Sequence, residues 1–212
     1  MNDIDTPAEA AAPSPHPLAR ELAAFLATQD APRVLLLGYG SGRNLPVLLG
    51  AGAHVTILEA GAERASSAAA VFGGDPRVNL ERGAGPFAAA LSTHALLHGT
   101  PESIATAVAS VLDHLCRGAP FFLTLGTKSD PRFGTGRALG RDTYAADSGS
   151  EAGIPHTYFD EGGVRSLLRD FTIGTLEETS AAESAGAWAH TEHERATLRH
   201  WFVRARRDVS QP

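Results

Sequence analysis

The sequence predicts an α/β fold: a mostly parallel sheet with helices on both faces. Three observations predict it. Short apolar runs alternate with helix-spaced segments along the chain. The first such run, Val34 to Leu37, is apolar throughout and ends at a glycine, the pattern of a strand buried on both faces. The composition, 43% hydrophobic and 20% charged over 212 residues, supports one domain with a sizeable core.

Residues 1 to 17 carry four prolines and no apolar periodicity, which predicts a disordered tail. Leu18, Leu22, Phe25 and Leu26 then recur at helical spacing, and Pro32 closes that segment. After the Val34 to Leu37 strand comes a helix over Asn44 to Leu49, with a Gly50-Ala51-Gly52 turn. His54 to Leu58 reads as a second strand and Ala62 to Phe72 as a second helix, closed by Gly73-Gly74. Arg77 to Leu80 and Phe87 to Ser92 read as strands three and four. Pro101 to Leu115 is a long helix with Ile104, Val108, Val111, Leu112 and Leu115 along one side. Phe121 to Leu125 is a fifth strand. Residues 126 to 157 hold six glycines and two prolines and little periodicity, so a long loop over the site is expected there. A helix over Asp160 to Leu168 follows, with Asp160 as its N-cap. Thr172 to Glu177 and Leu198 to Ala205 are two closing strands.

The first strand opens into Gly38-Tyr39-Gly40-Ser41-Gly42. Alternate glycines let a backbone turn sharply and approach a ligand with no Cβ in the way. In a doubly wound sheet this turn lies at the carboxyl end of the first strand, where ligands bind. A dinucleotide fingerprint, G-x-G-x-x-G, would need glycine at position 43, where the chain has Arg43. The second strand ends at Glu59-Ala60, and Glu59 lies 21 residues after Gly38. A carboxylate there can accept hydrogen bonds from both hydroxyls of a ribose.

Charge and composition exclude several classes. Net charge is −6, and the one dense basic run, Arg204, Arg206 and Arg207, reads as a solvated face, so no nucleic-acid partner is expected. No apolar stretch is long enough to span a bilayer, and the first residues lack the basic start of a signal peptide, so no membrane partner and a cytoplasmic location are expected. One cysteine, Cys116, cannot form an internal disulfide. His114, His193 and His200 show no ligand spacing, so no metal is expected. The sequence does not separate a monomer from a homodimer.

The glycine turn, Glu59 and the Leu115-Cys116-Arg117-Gly118 turn before the fifth strand together resemble the class I S-adenosylmethionine-dependent methyltransferases, over roughly residues 20 to 207. The resemblance implies a three-layer, Rossmann-like, seven-stranded sheet whose last strand is antiparallel, in a methyltransferase domain over 18–208. It implies S-adenosylmethionine as cofactor, with Gly38, Tyr39, Gly40, Ser41, Gly42 and Asn44 around its methionine end and Glu59 and Ala60 at its ribose. Thr93 and His94, after the fourth strand, would border it too. Two positions depart from the pattern: no acid is placed for the adenine within Glu81 to Gly85 beyond Glu81 itself, and Ala88 stands where an aspartate often starts strand four.

Methyl transfer needs the acceptor held close and aligned, with a base only where a proton must leave. Candidates are His98 after strand four, Arg132 and Lys128 in the 126–157 segment as anion grips, and His156 at its end. The segment His94 to Gly99 and the chain's ending resemble the tellurite-resistance methyltransferase group, which makes His190 in Ala187-Trp188-Ala189-His190 a further candidate. The expected acceptor is a small molecule, with a thiol, oxyanion or carboxylate favoured. Two alternatives stay open: a catalytically silent binding or regulatory protein of the same fold, and an NAD-dependent oxidoreductase.

Overall fold

The computed structural model describes residues 14–59, 61–80, 85–149, 151–180 and 197–209. The elements follow in order: α1 (Pro17–Leu26), β1 (Arg33–Leu37), α2 (Leu45–Gly50), β2 (His54–Leu58), α3 (Ala62–Phe72), β3 (Val78–Asn79) and β4 (Ala89–Ser92). After a short 3₁₀ turn, Ala95–Leu97, come α4 (Pro101–His114), β5 (Pro120–Thr127), β6 (Arg137–Gly140), β7 (Thr143–Ala145) and β8 (Pro155–Phe159). The chain closes with α5 (Glu161–Leu167), β9 (Phe171–Ser180) and β10 (Arg199–Arg207).

Among the described residues the sheet has ten strands: the expected seven run β3-β2-β1-β4-β5-β10-β9, and β8, β7 and β6 branch from β5. β1 is parallel to both β2 and β4, and β4 is parallel to β5. β10 is antiparallel to β5 and to β9, so the last strand alone reverses. Alternate residues of β1 face opposite layers, as a pleated strand dictates. Leu35 and Leu37 pack with Ile104, Val108 and Val111 of α4 and Val164 of α5. Val34 and Leu36 pack with Leu18, Leu22 and Leu26 of α1 and Leu45 and Leu48 of α2. Two cores, one on each face of the sheet, make the three layers.

Two expectations are corrected. The 126–157 segment is not one long loop: β5 runs on to Thr127, and β6, β7 and the start of β8 form a small antiparallel unit. Its pattern was weak because β6 is exposed at all four positions and carries no apolar alternation. Gly126 pairs with His200 of β10 on one edge and Tyr158 of β8 on the other, so β8 takes over the β4 edge of β5 beyond the end of β4.

The second correction concerns the tail. Residues 1–13 lie outside the described residues, but the chain is anchored by His16. Pro17 occupies the first position of α1, where its missing N–H costs nothing. The His16 side chain caps the helix by accepting from Leu18 N–H at 3.2 Å. Its ring is fully buried, against Phe202 at 4.8 Å and His94 at 5.5 Å between centroids.

Burial, and then the neighbouring His94, Arg43 and Arg204, push His16 down to about 2 from the ordinary 6.5. The unfolded chain therefore takes up a proton near pH 6.5 that the fold refuses, and the stability present above that pH is lost as pH falls towards 2. Between pH 7 and pH 5 the loss from this one group is on the order of 2 kcal/mol. Urea unfolding at both pH values should show that extra loss in the native chain and not in His16→Asn, which keeps a capping side chain. Equal losses in the two proteins would show that His16 is not buried neutral.

Candidate functional site

The turn from β1 into α2 has three residues in the left-handed region: Gly38 at φ 78°, Gly40 at φ 57° and Gly42 at φ 76°. At Gly38 the need for glycine is also spatial, because a Cβ there would lie 2.7 Å from the Ala95 Cβ. The Gly38 N–H donates to Leu58 O at 2.8 Å, tying the turn to the end of β2. Glu59 holds the same junction through both carboxylate oxygens. Oε2 accepts from Tyr39 N–H at 2.8 Å and Oε1 from Gly61 N–H at 3.0 Å. A carboxylate offers about four acceptor positions, and that of Glu59 stands in the cavity wall.

Asn44 links three elements at the other end of the turn. Its Oδ1 accepts from His16 N–H at 2.9 Å, and its Nδ2 donates to Thr93 Oγ1 at 2.7 Å. His94 is left-handed at φ 71° and starts the 3₁₀ turn, with its N–H donating to Thr124 Oγ1 at 2.8 Å. β4 and the turn after it are thereby brought against the glycine turn.

A cavity of about 610 Å³ opens where these segments meet, at the point between β1 and β4 where the strand order reverses. Of the residues expected to bind a cofactor, Gly38, Tyr39, Gly40, Ser41, Asn44, Glu59, Thr93 and His94 line it. Gly42 shapes the turn from behind, since a Cβ there would lie 2.7 Å from the Tyr39 hydroxyl. Ala60 and residues 81–84 of the adenine-side segment lie outside the described residues. The wall carries one carboxylate, Glu59, and one buried guanidinium, Arg43, among the described residues. A cavity of this size, a backbone cradle that a Cβ would fill and a carboxylate at the end of β2 fit an adenosine-bearing cofactor.

Of the four acceptor-side candidates, His98 lines the cavity. His190 lies outside the described residues. Arg132 and His156 do not line the cavity, and neither does any other residue described between 126 and 157. They meet His98 through a residue the sequence reading missed, Glu151. Glu151 Oε1 is 3.2 Å from His98 Nε2, and Oε2 is 3.3 Å from His156 Nε2 and 3.6 Å from an Arg132 nitrogen. The two imidazoles beside it, His156 first and then His98, hold Glu151 well below the usual carboxylate range. The cations expected to grip an anion are already engaged. Arg132 binds buried Asp130 at 3.0 Å, and Lys128 bridges Asp142 at 2.9 Å and Asp160 at 3.0 Å.

The other missed wall is α4, whose Ser103, Thr106, Ala107 and Ser110 face the cavity. Their spacing is helical, and it marks a face of small residues beside the apolar one. That signal was present in the sequence. Glu151 carried none, because it is brought to the histidines by the β7–β8 connection rather than by any local pattern.

No protein-family model and no curated protein matches the sequence. Solved structures do resemble the fold. A Methanosarcina mazei S-adenosylmethionine-dependent methyltransferase superposes with a TM-score of 0.66 at 16% identity, over 86% of this chain and 95% of that one. The 1,6-didemethyltoxoflavin-N1-methyltransferase of Burkholderia thailandensis, solved with S-adenosylhomocysteine, gives 0.61 at 23% identity, over 91% and 79%. A Mesorhizobium loti S-adenosylmethionine-dependent methyltransferase gives 0.62 at 21% identity, over 89% and 98%. In strand order, in the reversed last strand and in this superposition, the chain has the fold of the class I S-adenosylmethionine-dependent methyltransferases.

Proposed function

We propose that the protein binds S-adenosylmethionine and transfers its methyl group to a small molecule. One observation carries the reading: the left-handed glycine turn, pinned by Glu59, opens into the cavity at the switch point of a methyltransferase-type sheet. Glu59 would hold the ribose hydroxyls, and Gly38 to Gly42 the methionine end. The cofactor supplies a methyl group activated on a sulfonium. The protein's own part is placement and exclusion of water. Asn44 fixes Thr93 against the glycine turn, and the α4 face of Ser103, Thr106, Ala107 and Ser110 closes the opposite wall.

On the acceptor side His98 is the described candidate that reaches the cavity, and Glu151 fixes its ring. Arg132 and His156 act on it through Glu151 and are positioning residues. With Lys128 and Arg132 paired to carboxylates, neither is left to grip an anion, which favours a thiol over an oxyanion or a carboxylate. The NAD reading is disfavoured by Arg43, which is buried where a dinucleotide site needs a helix-packing glycine. The silent reading stays as an alternative because fold alone does not fix the chemistry: the [4+2]-cyclase SpnF, whose named reaction is not a methyl transfer, superposes with a TM-score of 0.60 at 18% identity, over 90% of this chain and 81% of that one. The fold therefore does not by itself dictate methyl transfer.

Calorimetric titration separates these readings. S-adenosylmethionine should bind saturably and NAD should not. Glu59→Gln, which loses the charge behind the ribose contacts, should weaken binding about 10- to 100-fold. Binding of NAD alone would sink the proposal, and cofactor binding without turnover on any thiol or oxyanion acceptor would move it to the silent reading. Gly38→Ala offers a second check. It must put a side chain at φ 78° against Ala95, so it should cost at least ~1–2 kcal/mol of stability and weaken cofactor binding together. A variant with unchanged melting temperature and unchanged binding would show that the turn is not the cradle.

A further inference from the structure

We propose that His98, Glu151 and His156 form a site for a borderline divalent transition-metal ion, of the zinc or iron(II) kind, at the edge of the cavity. Their ligand atoms all lie within 4.8 Å of one another. One carboxylate oxygen lies 3.2 Å from the His98 nitrogen and the other 3.3 Å from the His156 nitrogen, close enough for one ion with ~2.0–2.2 Å bonds to be shared among the three side chains.

The tautomer of His156 points the same way. Its Nδ1 lies 2.9 Å from Ile154 O, which can only accept, so Nδ1 carries the hydrogen. In the neutral ring Nε2 is then a lone pair, buried, with no hydrogen-bond partner and facing a carboxylate oxygen. Two acceptors in that position need a cation between them, either a second proton on the ring or a metal. An Nδ1–H bound to a backbone carbonyl is also how a metal-ligating histidine is usually oriented.

The scaffold holds all three groups before any ion arrives. His98 and His156 face each other in an antiparallel bridge. Gly99 N–H donates to Pro155 O at 2.7 Å and Thr157 Oγ1 donates to Gly99 O at 2.8 Å. Glu151 sits in a turn closed by Ile154 N–H to its own carbonyl at 3.1 Å. Arg132 stands 3.6 Å from Glu151 but is balanced by buried Asp130, so the local charge still favours a dication. Two imidazoles and one carboxylate select zinc or iron over magnesium or calcium. Three protein ligands leave coordination positions open, and His98 belongs to the cavity wall, so an acceptor oxygen or sulfur could enter one. That last role rests on the methyltransferase reading; the metal site does not.

The test uses chelator-treated full-length protein titrated with Co²⁺, followed by visible absorption, and with Zn²⁺ by calorimetry. One equivalent should bind, with Co²⁺ ligand-field bands. Glu151→Gln and His156→Gln should each weaken binding at least ~10-fold, while His54→Gln, at an exposed histidine remote from the cluster, should not. Absence of stoichiometric binding, or binding unweakened in both cluster variants, overturns the site. S-adenosylmethionine is titrated into the same samples. Metal binding without cofactor binding supports the site and overturns the methyltransferase reading; cofactor binding without metal does the reverse.

Discussion

The site depends on one constraint: a backbone that must turn left-handed three times between β1 and α2 and stay there. Glycine permits the turn but does not hold it, since glycine also has the most conformational freedom to lose. Glu59 does the holding. Its two oxygens fasten the Tyr39 and Gly61 amides, and the Gly38 N–H fastens to Leu58. The ends of β1 and β2 are thereby locked in register at the place where the cavity opens. A residue that organises the turn and also lines the cavity couples the loop's geometry to whatever the cavity holds.

From that junction the order spreads through Asn44. One amide side chain joins the start of α1, the start of α2 and the end of β4. The buried His16 ring completes the joint by filling the space between His94 and Phe202. The N-terminal helix is therefore part of the glycine-turn side of the cavity, although its residues do not line it.

The glycine-turn side of the cavity was legible because its signals are local. A buried strand, a glycine turn, a helix and an acid at the end of the next strand are contiguous, and each has a physical reason for its spacing. The parallel sheet between helices followed from the alternation of elements, and the seven strands with a reversed last one from the resemblance. His16 was hidden by composition: prolines that read as disorder include one that starts a helix. The strands within 126–157 were hidden because small exposed strands need no apolar alternation. The His98–Glu151–His156 cluster was hidden by distance along the chain. Its members come together because β8 lies against β5 beyond β4, and no ligand-spacing pattern encodes that pairing.

The two halves of the site therefore answer to different parts of the chain. The glycine-turn half is built on β1, β2 and β4, whose burial in two cores leaves little room for change. The His98 half is attached at the tip of β5, by a small antiparallel unit that meets the 3₁₀ turn through a few backbone bonds. A unit placed there can alter which side chains stand behind His98 without disturbing the glycine turn or Glu59. The groups that stand there now, a carboxylate between two imidazoles with an arginine–aspartate pair beyond, form an organised polar cluster with most of its members away from the cavity. Burying such a cluster costs desolvation, and the cost is offset only if every member is satisfied. The His156 nitrogen that lacks a hydrogen-bond partner is where that balance is incomplete, and a cation at that point would complete it.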